Sequence, residues 1–139
     1  MWVAHYAWLH SKYPKRKESR LSIIMEDNPD SSLLEMPEVP GCHNLLENLL
    51  EVGISSSSGF GLTPLTWTEL LSWTTLTDIY LNSWESITLV NLSRAFTSYH
   101  GKFDEKEVPA PHVVEDFDRN LVSQSIGFRL RSLAKRMNK

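Results

Sequence analysis

Residues 82–99 read NSWESITLVNLSRAFTSY, a segment with the spacing of a helix. Asn82 or Ser83 can cap its start, and Glu85 stands where a side chain can reach back to the cap. The apolar residues recur at helical steps and cover a broad surface: Trp84, Ile87, Val90, Leu92, Ala95, Phe96 and Tyr99. A helix with so broad an apolar surface should be central to the fold.

Two shorter helices are predicted before this segment. Thr66-Trp67-Thr68-Glu69 matches a capping box, and the helix that it opens carries Leu70, Leu71 and Trp73. The threonines at 74, 75 and 77 have some strand character, which predicts that this helix is short. The other helix covers 45–52, where four leucines form one stripe, with Asn44 as the expected N-cap and Gly53 as the stop.

Breaker-rich stretches separate the helical segments. Prolines or glycines interrupt 36–41 and 101–112, and the Ser/Gly-rich stretch 53–61 is predicted to be a flexible linker. At the N-terminus, Trp2, Tyr6, Leu9 and Tyr13 predict a short helix before Pro14, and a last helix is expected from near Val113 to about Arg136. The predicted fold class is therefore all-α, a small bundle of four to five short amphipathic helices.

Charge divides the 139 residues into three parts, although the net charge is only -3. Residues 1–20 carry +4, residues 21–118 carry 16 acids against three bases, and residues 119–139 carry six bases and no acid. The predicted organisation is a basic N-terminal helix and linker (1–35), an acidic helical core (36–112) and a basic C-terminal helix (113–139). The basic ends either are solvated surfaces or fold back onto the acidic middle, or one of them docks an acidic partner or nucleic acid.

Catalytic and metal-binding patterns are not found in the sequence. Cys42 and His43 are neighbours whose side chains diverge, the serine run lacks the nucleophile-elbow glycines, and the histidines have no metal-ligand spacing. The acidic residues at 104, 105 and 107 lack the pattern of a calcium loop. The prediction is a protein without catalytic residues, cofactor or metal.

The sequence also predicts where the chain resides. A single cysteine cannot form an intrachain disulfide, which makes a reducing cytosol the default, and the N-terminal apolar run has no basic residue ahead of it and makes a poor signal peptide. No apolar run reaches the roughly 18 residues of a membrane span. No membrane association is expected.

Five tryptophans are many for a chain of this length. Trp67 and Trp84 stand at helix starts with core phasing and are predicted to be buried. Trp2, Trp8 and Trp73 are less well phased and are predicted to be partner-binding anchors at the surface. Any nucleic acid contact is expected only at the basic C-terminal helix, through Arg129, Arg131, Lys135 and Arg136.

The middle of the chain resembles a family of small bacteriophage proteins. Met36-Pro37-Glu38-Val39-Pro40, the Leu-rich helix, the Ser/Gly loop, Pro64-Leu65-Thr66-Trp67-Thr68-Glu69-Leu70 with Trp73, then Trp84-Glu85 and Leu92-Ser93-Arg94-Ala95-Phe96 look like the tail assembly chaperones of long-tailed phages. The match covers about 36–99, and Phe96 stands where tyrosine is commoner. The resemblance implies a non-enzymatic protein that coats the helical tape-measure protein and helps to recruit tail-tube subunits in the host cytoplasm.

Two other functions compete with this interpretation. A structural component of the virion, such as a head-tail connector or minor tail protein, would use the basic termini as arms. A small nucleic-acid-binding regulator would use the basic C-terminal residues. A homo-oligomer is compatible with each of the three.

Overall fold

The computed structural model describes residues 1–114. Its elements, in chain order, are α1 (Trp2–His10), α2 (Arg20–Asp27), a 3-10 turn (Ser32–Leu34), α3 (His43–Val52), β1 (Ser55–Ser58), β2 (Gly61–Pro64), α4 (Trp67–Thr77) and α5 (Ser83–Phe103). Helix α5 packs against α1, α3 and the strands, so the prediction of a central helix is confirmed. Within the described residues the fold is mostly helical with one small sheet.

The predicted capping boxes form at both tryptophan-bearing helices. The Thr66 hydroxyl accepts from the Glu69 amide of α4 at 3.2 Å, and the Asn82 side chain accepts from the Glu85 amide of α5 at 2.9 Å. Each glutamate in turn accepts from the backbone amide of its capping residue at 2.8 Å. These reciprocal bonds satisfy amides that a helix start would otherwise leave unpaired.

Helices α3 and α4 differ from prediction at single positions. Cys42, not Asn44, is the N-cap of α3, and Asn44 already lies in the first turn. Gly53 ends α3 at φ +99°, as expected of a glycine stop. Helix α4 continues to Thr77, so the expectation of a short helix is wrong. Its threonine hydroxyls donate to carbonyls one turn back, which accommodates them in the helix: Thr74 and Thr75 to Leu71, and Thr77 to Trp73.

The Ser/Gly stretch predicted to be a linker is an antiparallel hairpin, which corrects the all-α prediction. Ser55 pairs with Pro64 and Ser58 with Gly61, with Gly59 and Phe60 at the turn. The buried Ser93 hydroxyl of α5 accepts from the Leu65 amide at 2.6 Å and donates to the Ile54 carbonyl at 2.7 Å. One side chain of the central helix thus holds both ends of the hairpin.

The N-terminal helix α1 shares its core with the acidic middle of the chain. Val3 and Ala7 pack with Phe96 of α5, while Trp8 and Leu9 pack with Ile24 of α2, a helix absent from the predictions. Helix α1 stops at His10, before Tyr13, because Ser11 turns extended and pairs its backbone with Arg20. The remaining cluster is aliphatic and lies between α3, α4 and α5: Leu45, Leu49, Leu65, Leu70, Leu89 and Val90.

The segment after α5 returns across α1. Helix α5 runs through Gly101 to Phe103, and Asp104 then accepts from the Lys12 amide at 2.9 Å. The Trp8 indole donates to the Val108 carbonyl at 2.8 Å. Val113 and Val114 are not helical, and the rest of the predicted helix of 113–139 lies outside the described residues. We call residues 104–114 the C-terminal arm.

Candidate protein-binding surface

A shallow groove lies where α4 turns into α5. It encloses about 300 Å³ and is lined by Trp67, Leu70, Leu71, Thr74, Ile79, Tyr80, Leu81 and Ser86. Two backbone features create it. Asp78 takes the left-handed conformation (φ +56°) and ends α4, and the Asn82 cap then restarts the chain as α5. We refer to it as the α4–α5 groove.

Large apolar side chains are concentrated in the groove and in the segments that form it. Trp67 is 50% exposed, Leu71 67%, Tyr80 90% and Trp84 62%. Leu76 on α4 and Ile87 on α5 are also exposed, at 86% and 50%. Single exposed apolar residues are ordinary, but three of these six, Trp67, Leu71 and Tyr80, line the same groove.

The prediction that Trp67 and Trp84 are core residues is wrong. Trp67 is the first residue of α4 and Trp84 the second of α5. A place in the first turn does not by itself decide burial, since Arg20, the first residue of α2, is fully buried, whereas Trp67 and Trp84 are 50% and 62% exposed. The core position of α4 is Leu70, and the buried positions of α5 begin only at Leu89.

The helix ends that form the groove carry acidic residues, none of which is among the residues that line it. Residues 21–93 contain ten Asp and Glu and no Lys or Arg. Glu69, Asp78 and Glu85 belong to the helix ends that form the groove. Hydrogen bonds from the Thr66 hydroxyl and amide, with a further one from Ser56, lower the pKa of Glu69, so this carboxylate stays charged at neutral pH.

The residues predicted to bind partners fall into three groups. Trp8 is only 3% exposed and packs in the core, so the prediction of a surface anchor is wrong for this residue; its indole N–H finds a carbonyl in the C-terminal arm. Trp2 stacks on Tyr6, Trp73 packs on the aliphatic cluster, and both are half-buried. Their partner-binding role stays a prediction. Arg129, Arg131, Lys135 and Arg136 lie outside the described residues.

A second set of functional groups lies buried between α1, α2 and the C-terminal arm. The Arg20 guanidinium is fully buried, donates to the Ser11 hydroxyl and to the Phe103 and Lys106 carbonyls, and lies over the rings of Trp8 and Tyr13 at 5.3 and 4.6 Å. Burial lowers the Arg20 pKa, while Tyr13 and Asp104 oppose this effect. These contacts tie the ends of three segments together, which is a structural role.

Four of the five histidines also lie where α1 meets later parts of the chain. The ring of buried His5 lies edge-on to His112, with centroids 5.6 Å apart, and its Nε2 is 2.9 Å from the Leu33 carbonyl. His100 Nε2 is 3.3 Å from the His10 carbonyl. Burial and the facing histidine lower the pKa of both His5 and His10. In residues 1–114 no three His, Cys, Asp or Glu side chains come together as metal ligands would.

Similarity to known proteins adds no assignment to this surface. Among the described helices, none is both long and apolar enough to cross a membrane. The chain matches no family model, no curated protein and no solved structure in the comparisons that were made.

Proposed function

We propose that this chain is a phage tail assembly chaperone that binds the helical tape-measure protein through the α4–α5 groove and assists assembly of the tail tube. The observation that carries the proposal is the set of exposed apolar side chains in and beside the groove, Trp67, Leu71, Tyr80 and Trp84 among them. They lie inside the stretch 36–99 on which the resemblance to tail chaperones rests.

The form of the groove supports a protein client. Amphipathic helices bind in grooves by inserting side chains at helical spacing, and an apolar groove open to solvent accepts such side chains. A chaperone that shields an apolar helix must itself stay soluble, and the acidic residues around this groove supply the charge for that. The proposed role involves no catalysis and no cofactor, and its place is the host cytoplasm during assembly.

The test is co-purification of the tagged full-length chain with the tape-measure protein and tail-tube subunit encoded beside it. We expect the tape-measure protein to co-purify, and both Tyr80→Ala, in the groove, and Trp84→Ala, beside it, to lose most of it. Phe60→Ala is the matched control, because Phe60 is a fully exposed aromatic at the hairpin turn, outside the groove. Equal loss with the control and with Tyr80→Ala or Trp84→Ala, or no capture with the unaltered chain, would contradict the proposal.

A second measurement separates the chaperone from a structural role. A chaperone should be absent from purified phage particles, whereas a head-tail connector or minor tail protein should be present at fixed stoichiometry. Presence in the particle at a fixed ratio would replace the proposed function with the structural one.

A further inference from the structure

The α4–α5 groove has the form expected of a helix receptor. Its lining includes the apolar residues Leu70, Ile79 and Leu81 and the aromatic residues Trp67 and Tyr80, with Thr74 and Ser86 adding hydroxyl groups. Binding of an extended strand uses the backbone groups of a free sheet edge. The sheet of the described residues is the β1–β2 hairpin, whose residues do not line this groove. A lining of this kind, away from the sheet, favours an occupant that inserts apolar side chains, as an amphipathic helix does.

The charge around the groove determines the chemistry of that helix. The positive ends of the α4 and α5 dipoles would favour an anionic partner, but Glu69 and Glu85 bind these helix starts and offset them. Asp78 adds a third carboxylate between the helices, and no Lys or Arg occurs from 21 to 93. The exposed indoles of Trp67 and Trp84 also offer faces on which Arg or Lys can lie. An acidic surround repels nucleic acid and anionic membranes.

We propose that the α4–α5 groove selects an amphipathic helix whose apolar stripe is flanked by Lys and Arg. This rests on the proposed function in that the groove receives a protein helix, and it goes further by naming the charge of that helix. The apolar stripe supplies the affinity, and the flanking cations supply the selectivity through Glu69, Asp78 and Glu85.

Three synthetic helices of about 18 residues test the proposal against the full-length chain. All carry the same apolar stripe; one has Lys and Arg at its flanks, one has Glu there, and one is cationic with a central proline. We expect the cationic helix to bind at least about tenfold more tightly than the anionic one, with a preference that shrinks as salt rises. The proline-containing peptide should bind weakly because it cannot form a continuous helix.

A charge-removing variant locates the effect. Glu69→Gln, Asp78→Asn and Glu85→Gln are combined, because glutamine keeps the capping geometry and asparagine tolerates the left-handed conformation. We expect the preference for the cationic helix to fall below about threefold. The matched control combines Glu26→Gln, Asp27→Asn and Asp30→Asn, which removes the same charge near α2 and should leave the preference unchanged.

The outcomes distinguish this inference from the proposed function. Equal binding of the cationic and anionic helices overturns the charge selectivity and leaves the chaperone role standing. Capture of the tape-measure protein that depends on Trp84, without binding of any of the three peptides, likewise overturns the inference alone. Failure of both experiments overturns both proposals. Self-association that Trp84→Ala abolishes, or retention on anionic lipid vesicles, assigns the groove to another occupant and overturns the inference.

Discussion

Aromatic residues occur both around α1 and in and beside the α4–α5 groove, but the two regions differ in how far these side chains are exposed. Trp8 of α1 is 3% exposed and its indole N–H donates to a carbonyl, whereas Trp84 of α5 is 62% exposed. Around α1, later segments of the chain cover the helix: α5 packs on one side and the C-terminal arm returns over the tryptophan. No described segment covers the first turn of α5 in the same way.

The difference teaches what separates a buried tryptophan from an exposed one. Both stand in helices, so secondary structure alone does not distinguish them. Ala4 and Ala7 are buried beside Trp8 and leave room for close helix packing, while Trp84 lies on the first turn of α5, ahead of the buried positions that begin at Leu89. The presence of a covering segment decides the outcome.

The largest effect that tests this comparison is expected from truncating the two tryptophans. Trp8→Ala should lower the free energy of unfolding by about 3–5 kcal/mol, because it empties a packed site and removes a buried hydrogen bond. Trp84→Ala should change it by less than about 0.5 kcal/mol, as surface substitutions do. Urea unfolding followed by far-UV circular dichroism measures both. A large loss with Trp84→Ala would show that this residue is covered in solution.

The structure shows which predictions local sequence can support. Capping boxes and the glycine stop involve residues three or fewer positions from the helix end, and they are confirmed at Thr66, Asn82 and Gly53. The hairpin was missed because Ser93, which holds its two ends, is 28 and 39 residues from its partners. The burial of Trp8 was missed because its partner Val108 is 100 residues away. Contacts at such separations leave no local pattern.

The candidate surface could be predicted only in part from the sequence, for the same reason. The sequence predicts partner-binding tryptophans at Trp2, Trp8 and Trp73, whereas the large exposed aromatic side chains in and beside the α4–α5 groove are Trp67, Tyr80 and Trp84. Trp67 directly follows the cap Thr66, and Trp84 is the second residue after the cap Asn82, but this position alone does not predict exposure. The groove itself depends on how α4, the loop between α4 and α5, and α5 pack together. This packing cannot be predicted from local sequence.

The second-largest effect on stability is expected from replacing Arg20, which is buried between α1, α2 and the C-terminal arm. Arg20→Met keeps the side-chain volume and leaves the Phe103 and Lys106 carbonyls without their donor. We expect a loss of about 2–3 kcal/mol in the free energy of unfolding, because charge-assisted bonds are lost and buried acceptors stay unpaired. Arg16→Met is the matched control: Arg16 is exposed, so the same change of charge should cost less than about 0.5 kcal/mol. Similar values for the two would contradict the structural role of Arg20.

The smallest effect is a pH dependence that arises from the histidines of the α1 region. Burial, with a smaller contribution from the charge of His112, lowers the pKa of His5 below its ordinary value of 6.5, although the Leu33 carbonyl opposes this. The unfolded chain therefore binds a proton at a pH where folded His5 does not. Stability should fall as the pH drops below about 6.5, with a slope of at most about 1.4 kcal/mol per pH unit for each such histidine.

His5→Gln separates this contribution from the titration of other groups. Glutamine does not titrate, so the variant should lose less stability than the unaltered chain between about pH 7.5 and 5.5, even where its stability at neutral pH is lower. His43→Gln is the control, because His43 is exposed on α3 and far from the histidine pairs in sequence. Urea unfolding at each pH measures the slopes. If His5→Gln and His43→Gln gave the same slope, buried His5 would not be the source, and the α1 region would differ from the groove in packing but not in its response to acid.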